Sequence, residues 1–125
     1  PVYYVQYAHA RICSLIARLA EEGDKVPDAA EVDPAVFSTE EEKSLIKTLS
    51  QLPETIRLSA RDYDPSHVNR YLTTLAGEFH RFYNSCRIKG EAPEVLAARL
   101  KLSDTVRAVI ANCLALLGVS APEKM

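Results

Sequence analysis

The sequence has 125 residues, of which 47% are hydrophobic and 26% are charged, and its formal net charge is −2. This length suffices for one domain with a hydrophobic core. No apolar run reaches the roughly 18 residues of a membrane-spanning helix, so we expect no membrane association. The sequence has three cysteines, Cys13, Cys86 and Cys113. Their odd number and the absence of a Cys-x-x-Cys pair argue against a disulfide framework or a zinc site. We expect buried, reduced thiols in a cytoplasmic protein.

The charges are distributed unevenly along the chain. Residues 21–42 carry nine acidic side chains and one basic side chain, whereas the remaining residues carry eight acidic and fourteen basic ones. The excess of positive charge outside the acidic segment is compatible with a nucleic-acid-binding surface. A solvated acidic loop beside an ordinary surface explains the same distribution.

The first predicted helix covers residues 1–22, and Gly23 is a suitable residue to end it. Because the chain begins within this pattern, without an initiating Met or a signal peptide, we expect a fragment of a longer protein. Its apolar stripe repeats at steps of three and four residues and contains Val5, Ala8, Ile12, Ile16 and Leu19, with Leu15 beside them.

Another face of this helix contains Tyr4, Tyr7 and Arg11, which also follow at steps of three and four residues. Two aromatic rings and a guanidinium can stack on unpaired bases and hold a phosphate. Tyrosines at this spacing can instead pack against a neighbouring helix, and the spacing alone favours that interpretation.

The acidic segment 24–37 is punctuated by Pro27 and Pro34 and is predicted to be a loop or a short irregular connection. Ser38 and Glu41 form a Ser-x-x-Glu capping box, with Ser38 as N-cap, and predict a helix to about Leu52. The inward side of this helix is predicted to contain Leu45, Ile46 and Leu49.

Pro53 opens the next, short predicted helix. Arg57 and Arg61 share one of its faces, where they can meet a phosphate backbone or pair with Glu54 and Asp62. The inward side is predicted to contain Ile56 and Ala60.

The central predicted helix covers residues 64–86, with Asp64 as N-cap and Pro65 at the first helical position. We expect His67, in its first turn, to contact the preceding loop. Its apolar stripe predicts packing against several partner helices and contains Val68, Leu72, Leu75, Phe79, Phe82 and Cys86. The other face has chemistry suited to phosphates and stacked bases and is predicted to contain Arg70, Tyr71, Arg81, Tyr83 and Arg87.

The last predicted helix begins at Pro93 and ends near Leu117, followed by Gly118 and Pro122. The sequence shows no strand alternation, hairpin turn or internal repeat. The pattern therefore predicts an all-α bundle of about five helices. The broad apolar face of the last helix contains Leu96, Leu102, Val106, Val109, Ile110, Cys113, Leu114 and Leu117.

Residues that carry catalysis or bind metals are not arranged in any recognisable constellation. His9, His67 and His80 share no i,i+3 or i,i+4 spacing, and no His-Glu-x-x-His pattern occurs. The four glycines form no phosphate-binding loop. We therefore expect no metal site, no cofactor and no enzymatic activity of this chain alone.

Three stretches resemble a known family. Residues 3–11 follow Tyr-x-x-x-Tyr-Ala-His-Ala-Arg, and residues 67–83 follow His-x-x-x-Tyr-Leu-x-x-Leu-Ala-x-x-Phe-x-x-Phe-Tyr. Ala98-Arg99-Leu100 is followed at residues 114–125 by Leu-x-Leu-Leu-Gly-Val-x-Ala-Pro-Glu-Lys-Met. Over nearly all 125 residues the chain thus resembles the C-terminal, DALR-type anticodon-binding domain of arginyl-tRNA synthetases, which are class Ia aminoacyl-tRNA synthetases. The Asp-Ala-Leu-Arg tetrad that names this domain type is not literally present before residues 98–100.

The resemblance implies one helical domain over residues 1–125, in which residues 1–22 form the helix that enters from a catalytic domain. Full-length arginyl-tRNA synthetases join arginine to tRNA with ATP and Mg²⁺, which bind in that catalytic domain. Its His-Ile-Gly-His and Lys-Met-Ser-Lys-Ser motifs do not occur in this sequence. The implied role is therefore to bind the anticodon stem-loop of tRNA(Arg). The alternative is a helical protein-interaction module without RNA selectivity.

Individual residues also match positions of the family. The resemblance implies an anticodon-binding set of Tyr4, Tyr7, Arg11, Tyr83, Arg87 and Met125. Arg70 and Arg81 are open between phosphate contacts and surface ion pairs.

Overall fold

The computed structural model describes residues 2–125 and shows an all-helical fold over that range. The predicted helical class is confirmed. Two short 3₁₀ turns, Ala29–Glu31 and Pro34–Val36, lie in the acidic connection. The α-helices are α1 (Val2–Glu21), α2 (Glu40–Ser50), α3 (Leu52–Asp62), α4 (Ser66–Ser85) and α5 (Pro93–Leu116). Pro1, where the first helix was predicted to begin, lies outside the described residues.

The central helix α4 contacts all four other helices, which explains why its apolar stripe is so long. Phe79 and Phe82 are fully buried, and burying a side chain of this size contributes about 1.5–3 kcal/mol. The predicted stripe is buried throughout, at Val68, Leu72, Leu75, Phe79, Phe82 and Cys86.

The start of α4 differs by one residue from the prediction, because Pro65 occupies the N-cap position and Asp64, the predicted N-cap, precedes it. A carboxylate oxygen of Asp64 accepts the backbone N–H of Ser66 at 3.0 Å. Pro65 has helical dihedral angles, and its carbonyl accepts the N–H groups of Val68 and Asn69. The regular helix nevertheless begins at Ser66 and ends at Ser85, inside the predicted limits.

The capping box of α2 lies one residue later than predicted. Thr39 is the N-cap and accepts the N–H of Glu42 at 3.1 Å, while Glu42 accepts the N–H groups of Thr39 and Ser38 at 2.9 and 3.0 Å. The prediction with Ser38 and Glu41 is therefore wrong. The sequence permits both frames, but only the frame of Glu42 points its carboxylate at Arg99 of α5, 2.9 Å away.

Several predicted orientations on α2, α3 and α4 are also wrong. Ile46 and Ile56 are each 36% exposed, and Ala60 is exposed as well. Leu45 is buried and Leu49 packs against the core as predicted, and Glu42 and Thr48 complete the inward side of α2. Their neighbour is Tyr71, which was predicted on the outer face of α4.

The side chain of Tyr71 is part of the core. It is 7% exposed, and its hydroxyl donates to the carbonyl of Thr48 at 2.9 Å. This partner lies 23 residues away in sequence, so helical periodicity could not reveal it. Burial raises the pKa of Tyr71 to about 12, which keeps the hydroxyl protonated as a donor.

The cysteines are free thiols. Cys86 and Cys113 are buried and Cys13 is half-buried, in agreement with the sequence prediction except for the partial exposure of Cys13. None of the helices described is long and apolar enough to cross a membrane.

Candidate nucleic-acid interface

Aromatic and basic side chains from α1 and α4 meet on one side of the bundle. We call this the α1–α4 aromatic surface; it consists of Tyr4, Tyr7 and Arg11 of α1 and His80 and Tyr83 of α4. Helical spacing places the three α1 residues on one face and the two α4 residues on the facing side. The structure therefore brings together four of the six residues in the predicted anticodon-binding set.

The imidazole of His80 lies at the centre of this surface. Its ring centroid is 5.5 Å from that of Tyr4 and 6.0 Å from that of Tyr7, with an interplanar angle of 28° to Tyr7. The buried ring of Phe79 lies 5.9 Å away and supports it from the core side. Tyr4 and Tyr7 are 42% and 48% exposed, so part of each ring is open for stacking.

Arg11 connects the two halves of the surface. Its guanidinium carbon lies 4.4 Å above the centroid of the Tyr83 ring, a cation–π arrangement. One of its N–H groups donates to Nδ1 of His80 at 3.2 Å. A guanidinium has five donor hydrogens, so donors remain for a phosphate.

The hydroxyl of Tyr4 lies close to the backbone of α4 at Gly77. A Cβ atom added at Gly77 would be 3.6 Å from the hydroxyl of Tyr4, so this tyrosine rests directly on the α4 backbone. The approach of the two helices therefore fixes Tyr4 beside His80.

Arg87 lies at one edge of the surface. With Arg18, Lys89 and Tyr83 it lines a cleft of about 400 Å³. Arg87 and Lys89 pair with acidic neighbours, Glu91 at 2.8 Å and Glu22 at 3.1 Å, whereas Arg18 makes no ion pair with any residue from 2 to 125. Sequence reasoning missed Arg18, although its position seven residues after Arg11 places it near the same helix face.

Met125 lies at the opposite edge, in a cleft with Tyr7 and Arg11. The C-terminal tail reaches this position through two hydrogen bonds to α1. Gln6 donates to the carbonyl of Ser120 at 3.0 Å, and the ring nitrogen Nδ1 of buried His9 lies 2.9 Å from the carbonyl of Pro122. The tail thus adds an exposed thioether to the aromatic surface.

The other predicted basic residues lie in local pairs. Arg70 donates to the hydroxyl of Ser66 at 3.1 Å and to the imidazole of His67 at 3.0 Å, about 15 Å along α4 from His80. His67 was expected to contact the loop before α4. Its imidazole lies 2.9 Å from the carboxylate of Asp62, which is the last residue of α3 and directly precedes that loop. Arg81 pairs with Glu78.

The basic residues of α3 pair with acidic neighbours, which is one of the two alternatives that the sequence left open. Arg57 pairs with Glu54 at 2.6 Å, and Arg61 pairs with Asp62 at 2.8 Å. Hydrogen bonds from Arg61 and His67 lower the pKa of Asp62 to about 2. No group of three metal-binding side chains occurs in the described part of the chain.

Comparison with known proteins agrees with this geometry. Residues 5–125 match the DALR anticodon binding domain family. The chain belongs to this family. The family resemblance found in the sequence is therefore confirmed, and the alternative of a helical protein-interaction module without RNA selectivity is not favoured.

Similar proteins carry the name arginine–tRNA ligase. That of Acetivibrio thermocellus is 51% identical over all 125 residues, which make up 22% of its length. That of Ruminiclostridium cellulolyticum is 48% identical over the same span, also 22% of its length. The chain thus spans about a fifth of the relatives it matches.

Solved structures show the same helical arrangement as this DALR domain. Thermus thermophilus arginyl-tRNA synthetase has a TM-score of 0.84 and 27% identity over 98% of this chain and 21% of its own chain. A putative arginyl-tRNA synthetase from Campylobacter jejuni has a TM-score of 0.85 and 30% identity over all of this chain and 26% of its own.

Proposed function

We propose that this chain is the anticodon-binding domain of an arginyl-tRNA synthetase and that its α1–α4 aromatic surface binds the anticodon stem-loop of tRNA(Arg). The observation that carries this proposal is the open cluster of Tyr4, Tyr7, Tyr83 and Arg11 in a DALR-family domain. Proteins recognise RNA loops mainly by stacking unpaired bases on aromatic rings, because loop bases are free to splay out.

The arrangement suits both the unpaired bases and the phosphates of an RNA loop. The exposed faces of Tyr4 and Tyr7 offer stacking platforms, each worth about 1–3 kcal/mol per base. Arg11, Arg18 and Arg87 supply positive charge along the same side and would make the binding salt-dependent. Met125 adds an apolar contact at the edge.

In the whole protein, we propose that this domain holds the stem-loop while a separate catalytic domain joins arginine to tRNA with ATP and Mg²⁺. Helix α1 would be the element that enters from that domain. This chain would need no cofactor of its own. The proposed location is the cytoplasm, where the tRNA partner takes part in translation.

A binding titration tests the proposal. The chain is titrated with an arginine-type anticodon stem-loop, and with the same hairpin in which the central anticodon base is changed, at two salt concentrations. We expect tighter binding to the first hairpin and weaker binding at the higher salt concentration. Equal binding to both hairpins, without salt dependence, would contradict the proposal.

A matched pair of variants locates the binding. We expect Tyr7→Ala to weaken binding by about 1–3 kcal/mol, or roughly 5- to 140-fold, through loss of a stacking surface. Tyr3→Ala is the control, because Tyr3 is exposed on the same helix but lines a groove with Asn69 and Leu72 instead. Equal losses for both variants would count against the assigned surface.

A further inference from the structure

His80 is the one member of the α1–α4 aromatic surface that neither the sequence pattern nor the resemblance singled out for binding. We propose that its Nε2–H group is a selectivity-determining hydrogen-bond donor, which meets an acceptor atom on the edge of an unpaired RNA base. This inference rests on the proposed function and adds to it the residue that distinguishes one loop base from another.

The contact with Arg11 determines the tautomer of His80. A guanidinium can only donate hydrogen bonds, so Nδ1, 3.2 Å from the Arg11 nitrogen, must accept. A neutral imidazole that accepts at Nδ1 carries its hydrogen on Nε2. Burial, followed by the nearby charge of Arg11, lowers the pKa of His80 below its ordinary value, which favours this neutral form.

The Nε2–H group is available to a ligand. It has no hydrogen-bond partner among residues 2–125, and the imidazole is only partly buried. In that same range, the only buried side-chain polar atom without a partner is the hydroxyl of Ser59. The unpartnered Nε2 of His80 is therefore not sealed inside the protein.

The direction of this donor is fixed in advance. Tyr4 and Tyr7 flank the imidazole from α1, Phe79 lies against it from the core, and Arg11 holds Nδ1. Arg11 is itself held over the ring of Tyr83. A donor whose orientation is already set loses little conformational entropy on binding, which favours selective recognition.

Two kinds of RNA atom can accept a hydrogen bond from Nε2–H. One is a carbonyl oxygen or ring nitrogen on the edge of a base, and the other is a phosphate oxygen. The surroundings favour the base edge. Arg11 and Arg18 already provide charged donors for phosphates, whereas neutral His80 lies beside the partly exposed rings of Tyr4 and Tyr7. This recognition requires a base that stacks on the exposed part of Tyr7 to place an acceptor at this donor, where a base without an acceptor leaves the N–H unpaired.

Three substitutions separate the properties of His80. His80→Phe keeps an aromatic ring but removes both polar atoms. His80→Asn keeps an acceptor near the position of Nδ1 for Arg11 but removes the donor at Nε2. His80→Gln restores an N–H donor near the position of Nε2. Each variant is titrated with the arginine-type stem-loop and with hairpins changed at one loop base at a time.

We expect His80→Phe and His80→Asn to reduce the preference between bases at one loop position by about three- to tenfold, with His80→Gln recovering part of it. The salt dependence should stay unchanged, because a neutral donor is lost. If the variants weaken all hairpins by one common factor, His80 contacts phosphate or supports the surface only, and the proposal is overturned. Wild-type protein that binds no hairpin would overturn the proposed function itself.

A measurement on the wild-type chain does not depend on the folding of variants. Long-range ¹H–¹⁵N NMR spectra of the histidine rings report which nitrogen carries the hydrogen. We expect His80 to be protonated at Nε2 and its Nε2 signal to shift with the arginine-type hairpin but less with the hairpin that lacks the selected base. An Nδ1–H tautomer, or equal shifts with both hairpins, would overturn the proposal.

Discussion

Arg11 and Arg99 show two different uses of one side chain in the same bundle. Arg11 lies on the aromatic surface, held by the face of Tyr83 and by a neutral imidazole. Arg99 lies inside the fold, where it donates to Glu42 at 2.9 Å and to the carbonyl of Arg87 at 2.6 Å. The side chains of Glu42 and Arg99 are only 1% and 11% exposed.

The two arginines differ in what their N–H donors bind within the protein. The contacts of Arg99 join α5 to the start of α2 and to the chain after α4, so it stabilises the fold and fixes the backbone of Arg87. The ring face of Tyr83 binds the guanidinium of Arg11 without using its in-plane N–H groups; one of these donates to His80, and the others remain available to a ligand. Breaking the first arrangement should affect folding, and breaking the second should affect binding.

The largest expected effect follows from Arg99→Met. This change leaves the buried carboxylate of Glu42 without its cation, and removing one partner of a buried pair typically costs about 3–5 kcal/mol. We expect a decrease of this size in the free energy of unfolding, measured by chemical denaturation. The control is Arg81→Met, which removes an exposed member of a surface pair. Equal stability of the two variants would contradict a structural role for Arg99.

A smaller effect, confined to binding, is expected from Arg11→Gln. Loss of a charged hydrogen-bond donor should reduce affinity for the stem-loop by about 1.5–3 kcal/mol, or roughly 10- to 140-fold, and should weaken the salt dependence. The free energy of unfolding should change little, because the contacts of Arg11 lie at the surface. If Arg11→Gln lowers the free energy of unfolding but binds RNA normally when folded, Arg11 stabilises the fold as Arg99 does, and the proposed difference between the two arginines is contradicted.

The smallest expected effect is a change in acid stability. Burial acts to raise the pKa of Glu42, but hydrogen bonds from the Thr39 and Ser38 backbone and from Arg99 outweigh it and hold the pKa below its ordinary value of 4.5. This contribution to stability is complete above pH 4.5 and is lost as the pH falls through the lower pKa of the folded state.

The test is the pH dependence of unfolding for wild type, Glu42→Gln and Glu41→Gln. Below pH 4.5 the free energy of unfolding should fall less steeply in Glu42→Gln than in wild type. Glu41→Gln, which changes the residue that the sequence assigned to the capping box, should retain the wild-type slope. Identical slopes in all three proteins would contradict the assigned role of Glu42.

The parts of the fold that follow from local periodicity were predictable. The whole buried stripe of α4 follows from its spacing, because one helix face must pack against the neighbouring helices. The capping frame of α2 did not follow, since the sequence offers two frames and Arg99, 57 residues beyond Glu42, selects between them. Tyr71 was misplaced for the same reason, because its partner lies on another helix.

The candidate site also contains some residues that local periodicity predicts and others that only the tertiary structure reveals. The spacing of Tyr4, Tyr7 and Arg11 predicts a shared helix face, but only the tertiary structure brings Tyr83 beneath Arg11. His80 lies three residues before Tyr83 and could have been placed on the same face from that spacing, but a histidine alone has no pattern that indicates binding. Arg18 could have been found from its distance to Arg11 along α1. Arg99, in the stretch that departs from the family tetrad, has a structural role visible only through Glu42.

The central claim is that the α1–α4 aromatic surface is the RNA-binding side of this bundle. Amide ¹H–¹⁵N NMR spectra, recorded during titration with the arginine-type stem-loop, test it directly. We predict the largest shift changes around Tyr7, Arg11 and His80, with smaller ones near Met125. The opposite result would be changes concentrated around Tyr63 and Leu116, which are exposed and line a groove remote from this surface along α4. That result would contradict the account.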